Sequence, residues 1–391
     1  MRVLTIINIS NVDDIACDSG VIFQRVLAEK FAELGIDYAI VGPDVEAFKQ
    51  LPIKGARKLY APMGTMRYST RFSFDWPRMQ QIIEEEAPDV IFNNQVELTT
   101  ALRSLLVTID NNHARIVTYC HYPALYASEG KTPKLDQSLN HSKLGLPIVF
   151  DILSALMTSD AFVIQSNFAK NLIITAAKYH NIGEIPEIFV IPPPSDPQLS
   201  KPYKDTPIAS KKILYNHRLY QSYGTDIFLG FAQSLTGLDF ELVCSDPMSK
   251  RSVGRQHLSN SPSVYKKELA RLPQAKVVDG NVPRAEYKRI IQESRLAFAA
   301  FRKACVWSMA AIDCMALGVP TIAPNYASYP EFIPSILLFD DLPQATALTK
   351  RLLVDDDFWL ECSRQCYART TELSPEAIGQ QFYRLFSEGK A

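Results

Sequence analysis

The run Phe301-Arg302-Lys303-Ala304-Cys305-Val306-Trp307-Ser308-Met309-Ala310-Ala311-Ile312-Asp313-Cys314-Met315-Ala316-Leu317-Gly318-Val319-Pro320-Thr321-Ile322-Ala323 decides the fold. A strand ends near Phe301 and a loop follows. Ser308 has the side-chain oxygen that caps the first turn of a helix, here one beginning at Met309. Gly318 stops that helix, and Val319-Pro320 feeds the next strand. The exposed N–H groups at the helix start form an anion site suited to a diphosphate. Asp313 lies about one turn further on, near the same mouth, where its carboxylate can accept hydrogen bonds from ribose hydroxyls. Taken alone, the segment reads more simply as a structural helix with Asp313 facing solvent.

Its surroundings repeat the pattern. Upstream, Ile213–Asn216 reads as a strand, Asp226–Leu235 as a helix, and Phe240–Cys244 and Lys276–Val278 as strands. Arg284–Glu293 reads as a helix, Leu296–Phe301 as a strand, Met309–Leu317 as a helix and Thr321–Ala323 as a strand. The first half carries the same alternation, with strands at Val3–Ile7, Tyr38–Val41, Val90–Phe92, Arg115–Tyr119, Ala161–Gln165 and Ile188–Ile191. Val21–Leu34 has apolar residues at helical spacing and Gly35 as its stop. Short apolar runs alternating with helices are the mark of βαβ units on parallel sheets, which bind ligands beyond the carboxyl ends of their strands. Pro192-Pro193-Pro194 breaks the series, and the Pro-, Lys- and Ser-rich stretch to Lys212 reads as a linker. Pro375–Phe386 is a final amphipathic helix.

The bulk numbers agree with two α/β domains. The chain has 391 residues, 47% of them hydrophobic and 21% charged, which is the composition of a folded protein. A net charge of −1 leaves any polyanion site to local clusters. Cys17, Cys120, Cys244, Cys305, Cys314, Cys362 and Cys366 are odd in number and lack paired spacing, so neither a zinc site nor a disulfide framework is expected. With no signal-like or membrane-length apolar run, a cytoplasmic location is expected.

The opening stretch resembles the donor-site signature of family-four retaining glycosyltransferases. That signature has two acids separated by seven residues, the second followed by Ala-Met-Ala-x-Gly-x-Pro. Here Asp313 stands for the second acid, followed by Cys314-Met315-Ala316-Leu317-Gly318-Val319-Pro320, while the first acid falls on Cys305. A second match, Ile213-Leu214-Tyr215-Asn216-His217-Arg218-Leu219-Tyr220-Gln221-Ser222-Tyr223-Gly224, puts Arg218, Leu219 and Gly224 in register with the family's Gly-Arg-Leu, three residues, Lys-Gly. Tyr223 replaces the lysine and His217 the glycine, so one cation is missing and Arg302 or Lys303 could replace it. Weaker matches are Ser19-Gly20, a small-residue turn that approaches the donor, and His121, which faces the reaction centre in this family. Asp279-Gly280-Asn281-Val282 matches the loop that contacts the nucleobase.

The resemblance implies an α/β protein of two tandem Rossmann-like domains, the GT-B architecture, with an interdomain cleft. It divides the chain into an acceptor domain at 1–195, a linker at 196–210, a donor domain at 211–372 and a helix at 373–391 that crosses back. It also implies transfer of a sugar from a nucleoside diphosphate, expected to be a UDP-sugar, to an acceptor hydroxyl, with retained configuration and without cofactor or metal. Arg218 and His121 are the expected catalytic residues. Donor contacts are expected from Ser19, Gly20, Arg218, Tyr223, Gly280, Asn281, Cys305, Ser308, Met309 and Asp313. The alternatives in this fold are a nucleotide-sugar epimerase and a sugar-nucleotide-binding protein without catalysis.

For the acceptor, a small molecule or glycan is preferred over nucleic acid. Two basic groups keep nucleic acid in view, as in phage enzymes that glycosylate modified DNA bases. They are Lys54, Arg57, Lys58, Arg67 and Arg71, interleaved with Tyr60, Tyr68, Phe72 and Phe74, and Lys250, Arg251, Arg255, Lys266, Lys267, Arg271 and Lys276. The simpler reading of both is solvated loops. Asp355-Asp356-Asp357 is expected to cap a helix rather than bind metal, and Asp340-Asp341 to form a turn. No G-x-G-x-x-G dinucleotide fingerprint or P-loop is present.

Overall fold

The computed structural model describes the whole chain except residues 8, 10–14, 17, 67–68, 110–112, 128–131, 136–138, 140–142, 236, 246–260, 279–281 and 389–391. The chain folds as two compact units, Met1–Pro194 with Pro375–Ala391, and Ser195–Ser374.

The first unit is built on a seven-stranded parallel sheet. Its strands are β1 (Arg2–Ile6), β2 (Asp37–Pro43), β3 (Arg57–Ala61), β4 (Val90–Asn93), β5 (Arg115–Cys120), β8 (Ala161–Ile164) and β9 (Ile188–Val190). They lie in the order β3-β2-β1-β4-β5-β8-β9. A short antiparallel pair, β6 (Leu125–Ala127) with β7 (Pro133–Leu135), stands outside that sheet. β1, β4, β5 and β8 are short apolar runs because helices cover both their faces, which removes any need for a polar alternation. β3 carries Arg57, Lys58, Leu59 and Tyr60 half out of the core at the sheet edge, so no apolar run announces it.

The Pro375–Ser387 helix belongs to this unit. Phe382 and Phe386 meet Phe31 and Phe92, with ring centroids 5.1 to 6.4 Å apart. The Arg115 Nη1 donates to the carbonyl of Leu385 at 3.3 Å.

The second unit repeats the plan on six parallel strands, β10 (Lys212–Tyr215), β11 (Glu241–Ser245), β12 (Ala275–Val278), β13 (Leu296–Phe298), β14 (Thr321–Pro324) and β15 (Leu338–Phe339). The order is β12-β11-β10-β13-β14-β15. Leu214, Val243, Ile291, Ala297, Cys314, Leu317 and Val319 form one buried cluster that locks β10, β11 and β13 to the helices Arg284–Gln292 and Met309–Ala316. Each fully buried aliphatic side chain of this kind contributes roughly 1.5–3 kcal/mol. β13 ends at Phe298, three residues before the expected end at Phe301. There the Phe301 N–H turns back to the Ala299 carbonyl at 3.0 Å instead of continuing the ladder. Gly318 has φ +74° just beyond the Met309–Ala316 helix, a left-handed stop that a side chain would strain.

Asp355 caps the Asp356–Thr371 helix, its Oδ1 accepting from Phe358 N–H at 2.9 Å. Asp341, expected in a turn, instead caps the Leu342–Val354 helix by accepting from Gln344 N–H at 2.8 Å. Among the described residues, no helix is long and apolar enough to cross a membrane.

Candidate functional site

In the second sheet the connections from β10 run one way, through β11 to β12, and those from β13 run the other, through β14 to β15. The two strands are adjacent and parallel, so their carboxyl ends form the switch point at which open α/β sheets take ligands. The segments leaving these two ends, Asn216–Gly224 and Ala299–Ser308, overlap the two sequence motifs, Ile213–Gly224 and Phe301–Ala323.

Gly224 joins them. It has φ +75°, and a Cβ there would lie 2.3 Å from the Ala300 carbonyl oxygen. Only glycine lets the short Gln221–Tyr223 turn press against the chain that leaves β13. As a result Arg302 lies over the Tyr223 ring, its guanidinium carbon 4.0 Å from the centroid. The Arg218 guanidinium carbon is 5.5 Å from the same centroid, and its Nη1 is 3.4 Å from the Tyr223 hydroxyl. Between the motifs, His217 stacks on Phe301 with centroids 4.4 Å apart and accepts the Arg218 N–H at Nδ1, 2.9 Å away. Burial, and then the charges of Arg218 and Arg302, push the His217 imidazole well below its ordinary range, so it is neutral.

The Met309–Ala316 helix starts at the same edge. Ser308 is extended at the cap and accepts the Ala311 N–H at 3.3 Å, which leaves the N–H groups of Met309 and Ala310 at the open end of the helix. Replacing Ser308 by alanine is expected to lower the unfolding free energy by about 1 kcal/mol, the usual worth of such a cap. Urea denaturation of the two proteins would show this as a lower midpoint at unchanged slope.

Asp313 is only 6% exposed. Tyr287 O–H donates to its Oδ2 at 3.2 Å, and the Arg284 Nη1 stands 4.0 Å from the same oxygen. Arg284 also donates through Nη2 to Asp196 at 2.7 Å, and Asn216 Nδ2 donates to the Tyr287 hydroxyl oxygen at 2.8 Å. Burial raises the Asp313 carboxyl to about 7 against the pull of Arg284, with Asp196 adding to the rise. Two buried polar atoms of this network, Asn216 Oδ1 and Arg284 Nε, have no hydrogen-bond partner among the described residues. The meeting of Asn216, Arg284, Tyr287 and Asp196 is not legible in the sequence, because it requires β10, the Arg284–Gln292 helix and the segment after Ser195 to come together. No local spacing encodes that.

Cys305 is 2% exposed, and its carbonyl accepts from Ser328 N–H at 3.1 Å and from Ser328 Oγ at 2.6 Å. Burial raises its thiol, so at neutral pH it is an uncharged, weak donor. Gly280 and Asn281 lie outside the described residues.

In the first unit Ser19 and Gly20 open the Ser19–Glu33 helix. Asp18 caps it, accepting from Gly20 N–H at 2.9 Å and from Val21 N–H at 3.4 Å, so these two donors are already engaged. His121 follows β5 and packs edge-on against Phe23, with centroids 5.1 Å apart. Its Nε2 is 3.0 Å from Asn94 Oδ1. The Asn94 amide nitrogen donates to Thr5 Oγ1 and the Phe92 carbonyl, so Oδ1 is the acceptor and Nε2 carries the proton. Nδ1 is then the ring's acceptor. Burial pushes the imidazole down to about 4, which keeps it neutral at physiological pH.

Much of the first basic group is committed within the chain. Arg57 pairs with Asp37 and Glu86, Lys58 donates to the carbonyls of Phe48, Lys49 and Leu51, and Arg71 pairs with the buried Glu97. Arg67, Tyr68, Lys250, Arg251 and Arg255 lie outside the described residues. Arg271 of the second group pairs with Glu268.

No protein-family model matches the chain, and no curated protein sequence does. Solved structures do. Sucrose-phosphate synthase from Thermosynechococcus elongatus is 16% identical with a TM-score of 0.72, over 98% of each chain. HepE from Anabaena, solved with UDP-glucose, is 12% identical with a TM-score of 0.71, over 99% of each chain. A UDP-forming trehalose-phosphate synthase from Burkholderia xenovorans is 12% identical with a TM-score of 0.69, over 100% of this chain and 99% of that one. At such identities the likeness is one of fold, and it gives this chain the GT-B fold of two Rossmann-like α/β domains.

Proposed function

We propose that this chain is a glycosyltransferase that moves a sugar from a nucleoside diphosphate, UDP foremost, to an acceptor hydroxyl. The observation that carries this reading is the placement of a guanidinium, Arg218, and an open helix N-terminus at Ser308 on the segments that leave the adjacent strands β10 and β13, with the buried carboxyl of Asp313 about one turn into that helix. These three groups answer the ribose and the diphosphate of a nucleotide-sugar. Asp313 takes the ribose hydroxyls, the N–H groups of Met309 and its neighbour take the distal phosphate, and Arg218 takes the charge that develops on the departing diphosphate. Because guanidinium charge does this work, we assign no divalent metal to the step. UDP is preferred because HepE and the Burkholderia synthase, which share the fold, are described with it.

His121, neutral and with Nδ1 as acceptor, is proposed to accept a hydrogen bond from a substrate hydroxyl rather than to act as an acid. Retention of configuration follows from the motif's resemblance to retaining enzymes. The acceptor is taken to be a small molecule or glycan, since Arg57, Lys58 and Arg71 are paired internally instead of forming a phosphate track.

Donor turnover tests the proposal. UDP-glucose and related donors are incubated with the protein and candidate acceptors, with and without EDTA, and UDP release and the sugar product are followed by NMR. Acceptor-dependent UDP release that survives EDTA, giving a product with the donor's anomeric configuration, is expected. A changed sugar still attached to UDP would establish an epimerase instead, and tight binding with no turnover would establish a binding protein.

A further inference from the structure

We infer that Arg302, on the segment leaving β13, is a second diphosphate-binding cation, with the ring of Tyr223 as the platform that sets both its guanidinium and that of Arg218. This rests on reading the unit as a nucleotide-sugar site.

Tyr223 is not a cation, yet two guanidinium groups meet its ring, at 4.0 Å for Arg302 and 5.5 Å for Arg218. The electron-rich face of a phenol attracts a guanidinium and aligns its plane, so one ring can orient two forks of donors at once. The backbone beneath them is anchored. The N–H groups of Phe301 and Arg302 both donate to the hydroxyl of Tyr329, at 2.8 and 3.2 Å, and Tyr329 is fully buried. On the other side, the close approach of Gly224 to Ala300 fixes the turn that carries Tyr223. Arg302 is therefore held by its own chain and by the ring, whereas the adjacent Lys303 is exposed.

Two like charges brought to one ring repel each other, and their joint field reaches His217, where it opposes protonation. A ligand with two adjacent phosphates relieves that repulsion, and each guanidinium can grip a phosphate through paired N–H donors. A monovalent or neutral ligand gains much less from the same arrangement. The pair thus selects the diphosphate portion of the donor, not its base or ribose.

Calorimetric titration of UDP and of uridine separates these contributions. In Arg302→Ala, UDP affinity is expected to fall about tenfold, as for loss of one charge-assisted contact, with uridine affinity unchanged. The double variant Arg302→Ala/Tyr223→Lys, which puts a cation back beside Arg218, is expected to recover most of the loss. Arg302→Ala binding UDP as the wild type does, while Arg218→Ala does not, would overturn the inference and leave the donor-site reading standing. Equal weakening of UDP and uridine would overturn it too, by making Arg302 structural. A wild type that binds neither ligand would remove the donor-site reading and this inference together.

Discussion

Arg218→Ala is expected to lower donor turnover by about two to three orders of magnitude while the free protein keeps its fold. The size follows from the role. A preorganised cation aimed at charge that appears only in the transition state contributes more than it does to ground-state binding, and loss of one such group costs roughly 10²–10³ in rate. Arg218 is half-buried, and its contacts with the Tyr223 ring and hydroxyl lie within the single segment that leaves β10. Leu219, Tyr215 and Phe228 are buried in the same unit, with the Tyr215 and Phe228 rings stacked 4.0 Å apart. Steady-state kinetics beside a thermal melt would check both halves. A variant with lost activity and an unchanged melting temperature is predicted, and wild-type rates in Arg218→Ala would remove the residue from the mechanism.

Asp313→Asn is expected to weaken UDP-glucose binding by about 10- to 100-fold and, at the same time, to flatten the dependence of stability on pH. The first effect is the loss of a charged acceptor for ribose hydroxyls, worth about 1.5–3 kcal/mol. The second follows from the raised carboxyl, about 7 in the folded chain against roughly 3.9 for an unfolded aspartate. Between these values the native state holds a proton that the unfolded chain has released, so stability is fully present below about pH 4 and falls as pH rises toward 7. A single group limits that slope to about 1.4 kcal/mol per pH unit. Asparagine has no proton to lose, so this component disappears from the variant. Binding in the wild type moves the opposite way and tightens as pH rises through 7, because the ionised form is the better acceptor. Unfolding and UDP-glucose titrations from pH 5 to 8 would show both trends. Parallel pH profiles in the two proteins would show that Asp313 does not titrate where its burial puts it.

Asp313 shows what the sequence could and could not convey. Its place on a helix behind Ser308, and the stop at Gly318, were legible because capping residues and a left-handed glycine act locally. Most strands of both sheets were legible for a related reason, since a strand covered on both faces is a bare apolar run. β3 and β15 were not legible. β3 is an edge strand with half-exposed basic residues, and β15 has only two residues, too few to form a pattern. The β6–β7 pair was missed in the same way, as two strands of three residues.

The environment of Asp313 was equally hidden. Arg284, Tyr287 and Asp196 reach it from other parts of the unit, and only the folded chain brings them together. The stacking of Arg302 on Tyr223 depends on one close approach between Gly224 and Ala300, a contact between residues 76 positions apart in a chain of 391. Tyr223 in the sequence is a departure from the family pattern. In the fold it is the ring where two cations meet.

The central claim, a nucleotide-sugar site in the second unit built on guanidinium charge, is tested most directly by thermal melts. The melts are recorded with UDP-, GDP-, ADP- and TDP-sugars, each with and without EDTA. A ligand that binds only the native state raises the melting temperature with the logarithm of its concentration over its dissociation constant. The account predicts a rise with the UDP-sugar that is undiminished by EDTA and smaller in Arg218→Ala. No rise with any sugar nucleotide at millimolar concentration, or a rise that EDTA abolishes, would contradict it.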